Sequence, residues 1–200
     1  MFRVDKRIQK TCRNLKQTLT SLLGRKPFED ITVTELCETA ATSRITFYSH
    51  YEDKYALADE WVNDIVDSAM QDFDALQKQN NPKGDPVAGM ENILEAILNL
   101  CHLHKNALKH VNRTESTYLF ESLYASATEC VQRQFQRLCA HLPDKQDIKR
   151  LTAFVCNGMW GFVEECRAQK CSFESIKTEA RQLLKSMLSA GAMLRVAPAV

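Results

Sequence analysis

The chain has 200 residues, and its hydrophobic fraction of 44% is large enough to form the core of one or two domains. Its 26 basic and 25 acidic residues leave a formal net charge of +1, so the overall charge indicates no strongly charged partner. No run of about 18 apolar residues predicts a membrane span, and the first residues lack the apolar segment of a signal peptide. We therefore expect a cytoplasmic protein without a membrane partner, whose eight cysteines are reduced and mostly structural.

The basic residues are concentrated near the N-terminus, where residues 1–55 include ten basic and seven acidic side chains. Apolar residues in the first segment recur at helical spacing, and basic residues occupy the remaining faces. The pattern predicts an amphipathic helix with a basic outer face. Gly24 suits a C-terminal cap and Pro27 cannot continue a helix, so we expect this helix to end there. The apolar stripe consists of Ile8, Cys12, Leu15, Leu19 and Leu22.

Two short helices are predicted next, each with a defined beginning. Thr32 and Glu35 have the spacing of a capping box, which predicts that a helix begins directly after Thr32. Ser43 can cap a second helix over residues 44–51. Two short helices joined by a turn of three or four residues form a helix-turn-helix, whose second helix can enter the major groove of DNA.

The second short helix carries large side chains on two faces. Phe47 and Tyr51 are four residues apart and are predicted to be buried together. In the major groove of DNA, Ile45 could contact a thymine methyl group and Arg44 could donate to guanine O6 and N7. The hydroxyl groups of Thr46, Tyr48 and Ser49 could reach phosphates or base edges. The alternative is that Ile45 and Tyr48 pack against a neighbouring helix. The predicted outward face consists of Arg44, Ile45, Tyr48 and Ser49.

A long helix is predicted to follow, with Asp53 as its cap and Lys54 as its first residue. The lysine ammonium and the free backbone N–H groups of the first turn both favour a phosphate oxygen at that position. The stretch ITVTELCETAATSRITFYSHYEDKYAL resembles the DNA-binding domain of the TetR/AcrR family of transcriptional regulators. The resemblance in order and spacing covers residues from about 6 to 60.

The resemblance implies roles for individual side chains and two departures from the family pattern. Ala41 stands where the family has a glycine in the turn, and Thr42 stands where a valine is usual. An alanine must adopt or avoid a left-handed backbone there, so we expect a slightly different turn. Phe47 and Tyr51 are implied to be core residues. The implied DNA contacts are Thr32 and Thr34 at the groove edge, Arg44, Ile45 and Thr46 in the groove, and Tyr48, His50 and Lys54 at phosphates.

The rest of the chain is predicted to be helical, which gives an all-α protein of about nine helices. An N-terminal three-helix helix-turn-helix DNA-binding domain is expected at residues 1–55. A larger helical bundle for effector binding and dimerisation is expected at residues 56–200, as the resemblance implies. The helices predicted after the helix-turn-helix cover residues 54–79, 87–104, 107–112, 115–142, 147–170 and 174–194.

The helix predicted at 147–170 is apolar on two faces, so two neighbours must cover it. One neighbour can be the core of the same chain and the other a second subunit, since Gly158 and Gly161 permit close approach. The resemblance implies a two-fold homodimer with a four-helix interface that also includes the last helix. The alternative is a monomer with a generous core. The predicted interface residues are Phe154, Gly158, Phe162, Leu183, Leu184, Met187 and Leu188.

An unidentified small-molecule effector is expected to bind among the helices between residues 55 and 170. Large side chains of the kind that line ligand pockets occur there, although core packing explains each of them equally well. The predicted lining consists of Trp61, Met90, Tyr118, Tyr124 and Trp160.

Motifs for catalysis and cofactor binding are missing from the sequence. It has no GxxxxGK[ST], HExxH or GxSxG, and no GxGxxG after a strand, so we expect neither an enzyme nor a cofactor. Cys101, His104 and His110 are the best candidates for metal ligands, but no second pair of ligands is spaced to complete a zinc site. We therefore expect no metal.

The sequence thus favours a ligand-responsive transcriptional regulator, most simply a repressor, that binds an inverted-repeat operator in double-stranded DNA as a homodimer. The alternative is a protein-binding coactivator or adaptor that keeps the scaffold, in which Ile45 and Tyr48 contact another protein. An enzyme in the C-terminal bundle is a third hypothesis, and no motif supports it.

Overall fold

The computed structural model describes residues 6–138 and 145–189, and every regular element within these ranges is helical. Eight α-helices and one short turn of 3-10 helix, Phe28–Asp30, follow one another along these parts of the chain. None of these helices is long and apolar enough to cross a lipid bilayer. The α-helices are α1 (Lys6–Leu23), α2 (Val33–Thr39), α3 (Arg44–Tyr48), α4 (Lys54–Asn80), α5 (Pro86–Leu103), α6 (Thr117–Leu138), α7 (Lys145–Ala168) and α8 (Phe173–Ser189).

The chain forms two compact units. The first contains the residues up to Val66 together with Leu103–Ser126, and the second contains Asp67–His102 and the residues from Ala127 onward. Helices α4 and α6 contribute residues to both units. The first unit therefore combines the three N-terminal helices with the beginning of α4 and the beginning of α6.

The core of the first unit is built where α1 packs against α2 and α2 packs against α3. Leu15, Leu19, Leu36 and Phe47 are fully buried on these three helices. Burying a side chain of this size stabilises a fold by about 1.5–3 kcal/mol, so the four together are a large part of what holds this small domain. Along the predicted stripe of α1, burial begins at Leu15, and Ile8 near the start of the helix is 43% exposed.

Polar contacts connect α1 to the first half of α4. The Lys16 ammonium lies 2.9 Å from the Glu60 carboxylate and also contacts Asp64. The Trp61 indole N–H donates a 2.8 Å hydrogen bond to the Thr20 hydroxyl, so the buried tryptophan has its polar atom satisfied.

The second unit has two apolar clusters and one buried charge. The first cluster joins α4, α5, α6 and α7 through residues that include Phe73, Met90 and Phe135. The second joins α5, α7 and α8 through Leu94, Leu98, Val163 and Ala180. Between these helices, the largely buried carboxylate of Glu95 on α5 contacts both Lys177 and Arg181 of α8.

Helix α7 ends in a Schellman motif. Lys170 has a left-handed backbone with φ of 56°, and its N–H donates to the Arg167 carbonyl. The Cys171 N–H donates to the Cys166 carbonyl at 2.9 Å, which closes the six-residue ring typical of this cap. The Schellman motif turns the chain from α7 into α8.

The helix predicted at residues 107–112 is wrong, because residues 104–110 form successive turns. The Leu108 N–H still reaches back four residues to His104, but the Val111 N–H reaches back only three, to Leu108. The Asn112 side chain then accepts hydrogen bonds from the N–H groups of Thr114 and Glu115. An asparagine that bonds to the backbone after it competes with helix continuation, and the spacing of apolar residues does not reveal that competition.

The other helix boundaries agree with the sequence more closely. Helix α4 begins at Lys54, as predicted, and its last residue, Asn80, is one beyond the predicted end. Helix α3 ends at Tyr48, three residues before the predicted end, and the Ser49 hydroxyl donates to the Thr46 carbonyl there. Eight α-helices and the 3-10 turn in the described ranges replace the nine helices expected. The predicted helix ends at residues 142 and 194 lie outside the described residues.

Candidate nucleic-acid interface

The beginning of α2 is capped as the sequence predicts. The Thr32 hydroxyl accepts a hydrogen bond from the Glu35 N–H at 3.2 Å, which satisfies one of the free donors of the first turn. The Glu35 carboxylate lies 2.5 Å from the Lys26 ammonium. The cap therefore fixes the backbone at Thr32, and the ion pair links α2 to the segment between α1 and the 3-10 turn.

In the turn between α2 and α3, the residue at the usual glycine position has a left-handed backbone conformation, although it is an alanine. Ala41 has φ of 49°, and the Thr42 N–H donates to the Cys37 carbonyl at 2.9 Å. Asn14 of α1 supports the turn from outside, since its side-chain amide donates to the Ala40 carbonyl at 2.7 Å. Asn14 had no role in the sequence-based prediction, because a contact over 26 positions leaves no local signal.

Helix α3 begins with a second cap. The Ser43 hydroxyl accepts from the Thr46 N–H at 3.0 Å and lies 2.9 Å from the Thr46 hydroxyl. Phe47 is fully buried, Tyr51 is 5% exposed, and their ring centroids lie 5.7 Å apart. Their predicted common burial is confirmed, and it fixes which face of α3 points inward.

The opposite face of α3 is open to solvent. Ile45 is 85% exposed and Tyr48 is 55% exposed, so neither packs against a neighbouring helix of the first unit. The Arg44 guanidinium donates to the Thr34 hydroxyl of α2 at 2.5 Å, which holds two predicted DNA contacts against each other. We define Arg44, Ile45, Tyr48 and Ser49 as the outward face of α3, and all four are exposed.

The remaining predicted DNA contacts surround this outward face with different exposures. Thr32 is exposed on the edge of α2, whereas Thr34 is partly buried. Thr46 and His50 are also partly buried, and Thr46 is engaged with the Ser43 cap.

Lys54 is the predicted contact whose surroundings differ most from expectation. Asp53 caps α4, as predicted, because its carboxylate accepts from the Ala56 N–H at 2.8 Å. The Lys54 ammonium, however, turns back to the 3-10 turn and donates to the carbonyls of Phe28, Glu29 and Ile31 at 3.0, 2.9 and 2.8 Å. It also lies 4.6 Å from the centre of the Phe28 ring. Sequence reasoning missed these partners because they lie 23 to 26 positions earlier in the chain.

The residues predicted to line a dimer interface are divided between surface and core. Phe154 is 61% exposed and Leu183 is 52% exposed, and Gly158 is exposed with open space where a Cβ would lie. Phe162 and Leu184 pack against the apolar clusters of the second unit instead. The side chains of Met187 and Leu188 lie outside the described residues.

The residues predicted to line an effector pocket occur in both units. In the first unit Trp61 is buried against Thr20, Tyr118 donates to the Asp59 carboxylate at 2.9 Å, and Tyr124 stacks on Phe120. Burial, together with the Asp59 hydrogen bond, raises the pKa of Tyr118 to about 12. In the second unit Met90 belongs to the first apolar cluster and Trp160 is partly buried.

Comparison with solved structures identifies the fold. The chain is similar to a TetR transcriptional regulator from Streptococcus agalactiae 2603V, with 21% identity over 90% of this chain and 96% of that one and a TM-score of 0.58. It is also similar to a protein of unknown function from Rhodococcus sp. RHA1, with 13% identity over 87% of this chain and 93% of that one and a TM-score of 0.59. No protein-family model and no curated protein matches the sequence. The chain thus has the all-helical fold of a TetR-type regulator, an N-terminal helix-turn-helix followed by a helical bundle.

Proposed function

We propose that this protein is a transcriptional regulator that binds double-stranded DNA through the outward face of α3. The observation that carries the proposal is the 85% exposure of Ile45 on a helix held rigidly by a cap and by the buried Phe47. An exposed isoleucine beside an exposed arginine suits the major groove, where thymine methyl groups and guanine acceptors occur together.

The proposed contacts are of two kinds. Arg44 and Ile45 would read base edges, because they lie at the first turn of α3 and are the most outward side chains there. Thr32, Thr34, Tyr48, Ser49 and His50 would contact phosphates or base edges and so fix the position of α3. The hydrogen bond from Arg44 to Thr34 supports this set, since it directs the guanidinium before DNA arrives.

The regulator is proposed to act as a homodimer on an inverted repeat. The exposed Phe154, Gly158 and Leu183 support a second copy as the partner of α7 and α8. Two copies of α3 in a two-fold dimer would read half-sites about 34–36 Å apart, or a multiple of that distance.

Selection of duplexes from a random pool, followed by titration over a range of salt concentrations, tests the proposal. A regulator should select an inverted repeat, and its affinity should fall steeply with salt because phosphate contacts release counterions. If the outward face of α3 is instead a protein contact, as in an adaptor, no duplex will be enriched and salt will have no such effect.

Substitutions in α3 separate base contacts from phosphate contacts. Arg44→Ala should relax the preference at one base pair by about 1–3 kcal/mol, because a bidentate contact to guanine is lost. Tyr48→Ala should weaken binding to every sequence by a similar factor. Equal losses on all sequences for Arg44→Ala would assign that arginine to a phosphate.

The regulator is further proposed to be a repressor that releases DNA when a small molecule binds among the helices after residue 55. Helix α4 supports this coupling, since Trp61 follows Lys54 on one continuous helix. A coupling of about 1–3 kcal/mol is expected between effector and operator. Compounds that raise the melting temperature should be tested for loss of operator binding, together with the distance between labels on the two N-terminal domains. Loss of binding at an unchanged distance would favour altered flexibility over a rigid tilt.

A further inference from the structure

The Lys54 ammonium has no N–H group left for a phosphate. A lysine ammonium carries three N–H groups, and here three backbone carbonyls accept at 2.8 to 3.0 Å. All three distances lie in the normal range for N–H···O hydrogen bonds. A phosphate contact would therefore require at least one of these bonds to break.

The carbonyls that Lys54 binds belong to the segment directly before the helix-turn-helix. The 3-10 turn Phe28–Asp30 ends at Ile31, and Ile31 precedes Thr32, the cap of α2. The Ile31 carbonyl makes the shortest of the three hydrogen bonds with Lys54. The first residue of α4 is thus hydrogen-bonded to the residue directly before the cap of α2.

Other contacts hold the same 3-10 turn. The Phe28 N–H donates to the buried Ser116 hydroxyl at 2.9 Å, and the Glu29 carboxylate accepts from the Tyr118 N–H in the first turn of α6. The Phe28 ring is fully buried and stacks on the Tyr118 ring at a centroid distance of 5.9 Å. The 3-10 turn is therefore held by backbone, side-chain and ring contacts, and Lys54 is the charged donor among the hydrogen bonds described for it.

The surroundings of Lys54 differ from those of a solvated phosphate-binding lysine. Lys54 is partly buried, and this burial lowers the pKa of its ammonium, while the charges of Glu29 and Asp30 oppose the shift. The rings of Phe28 and Tyr55 lie 4.6 and 5.5 Å from the ammonium, a separation at which cation–π attraction stabilises a charge in place.

We propose that Lys54 positions α2 and α3 for DNA by holding the 3-10 turn, and that it does not itself contact phosphate. This inference rests on the proposed DNA-binding function for its meaning. Removal of the ammonium would leave three carbonyls with no charged donor and would release Ile31, so that Thr32 and the helix after it lose their fixed position.

The salt dependence of DNA binding separates a positioning residue from a phosphate contact. Lys54→Met keeps the apolar stem and removes the ammonium, so affinity for a duplex selected by the wild-type protein should fall by about tenfold or more. The slope of log K against log salt should not change. A phosphate contact would instead reduce the magnitude of the slope by about 0.9 for each protomer bound, and that result would overturn the inference.

Lys54→Arg gives a second and opposite test, because it keeps the charge. A guanidinium binds phosphate at least as well as an ammonium, but its planar fork cannot direct three N–H groups at three carbonyls around one point. We expect Lys54→Arg to bind DNA more weakly than the wild-type protein with an unchanged slope. Wild-type affinity in Lys54→Arg would overturn the positioning role.

Hydrogen exchange measures the positioning role without DNA. Lys54→Met should speed exchange of the amides of α2 and α3, including Leu36 and Phe47, whose N–H groups bond to the Thr32 and Ser43 carbonyls. Lys78→Met, at an exposed site in the last turn of the same helix, is the matched control and should alter neither exchange in α2 nor DNA affinity. Unchanged exchange in Lys54→Met would overturn the inference. If the wild-type protein selects no duplex, the proposed function fails, and hydrogen exchange alone then decides the role of Lys54.

Discussion

At the scale of single residues, Ala41 has a backbone conformation that glycine adopts more readily than alanine. Its φ of 49° lies in the left-handed region, where the Cβ of an L-residue crowds the following carbonyl. The position is the C-terminal end of α2, at which glycine is usual. The strain persists because the Thr42 N–H and the Asn14 amide both hold the turn in place.

Ala41→Gly should raise the free energy of unfolding by about 1 kcal/mol, because the steric strain is removed at a site where glycine fits. Urea unfolding monitored by circular dichroism measures the change. Ala125→Gly is the matched control, since Ala125 is exposed in the interior of α6, and there the same substitution should lower stability by about 1 kcal/mol. A loss of stability in Ala41→Gly would show that the strain is compensated elsewhere.

The sequence predicts hydrogen bonds between residues that are near each other in the chain, and it does not predict those between distant residues. The caps at Thr32, Ser43 and Asp53 were predictable, because each side chain bonds to an N–H group three positions later. The partners of Lys54 and Ser116 were not, because they depend on how the chain returns to the 3-10 turn. The outward position of Ile45 was predictable from helical spacing alone.

At the scale of helices, the contact between α1 and α4 depends on an ionised glutamate. Burial acts to raise the pKa of Glu60, but the hydrogen bond and charge of Lys16 outweigh it, so the pKa lies below its ordinary range. The Lys16 pKa is raised in turn, since its two carboxylate partners outweigh the effect of burial. The two shifts agree in direction.

A group whose pKa is lowered on folding contributes stability above its unfolded pKa, about 4.3 for glutamate, and loses that contribution as the pH falls further. Glu60→Gln should therefore be less stable than the wild-type protein at pH 6, and the difference should shrink below about pH 4. Urea unfolding at several pH values measures this. A difference that stays constant down to pH 3 would mean that the ionisation of Glu60 does not contribute to stability.

Helices α5 and α8 offer a comparison between a buried and an exposed ion pair. Glu95 is 9% exposed and contacts Lys177 and Arg181, whereas Glu91, one turn earlier, lies 3.5 Å from the exposed Lys185. Glu95→Ala should lower the free energy of unfolding by about 2 kcal/mol. This loss is smaller than that expected for a fully buried ion pair, because Arg181 is half exposed.

Glu91→Ala is the internal control for this prediction and should change stability by less than about 1 kcal/mol. Chemical unfolding of both variants under the same conditions makes the comparison. Equal effects would indicate that burial of Glu95 adds nothing to its contacts with α8.

The positions of the long helices were more predictable than the conformation of the segment between α5 and α6. Helical spacing gave the position of α4, α5 and α7 to within about two residues, because long amphipathic patterns average over local irregularities. The segment 104–116 was misjudged, since hydrogen bonds made by Asn112 decide its conformation and apolar spacing does not report them.

At the scale of the whole molecule, Gly158 tests whether α7 packs against a second copy. Apart from the backbone of α7 itself, a Cβ at Gly158 would meet no atom within 4 Å in the part of the chain that the structure describes. Gly158→Leu should therefore favour the helix by up to about 1 kcal/mol within one chain. In a dimer that packs closely at this glycine, the same leucine should weaken association.

Sedimentation equilibrium of Gly158→Leu and the wild-type protein measures the effect on association. Gln71→Leu, which adds a leucine at an exposed site on α4, is the control for a general effect of added apolar surface. Unchanged association in Gly158→Leu would place the partner of α7 and α8 elsewhere.

The uneven distribution of charge on α1 has a consequence for how the molecule behaves on a chromatographic matrix. The chain as a whole has a formal net charge of +1, so molecules repel one another only weakly near neutral pH. Helix α1, however, contains no acidic residue, and Lys6, Arg7, Lys10 and Arg13 are exposed along it. A sulfonate resin should therefore retain the protein at low ionic strength, although its overall charge is too small to cause retention. Moderate salt should both elute the protein and keep it in solution.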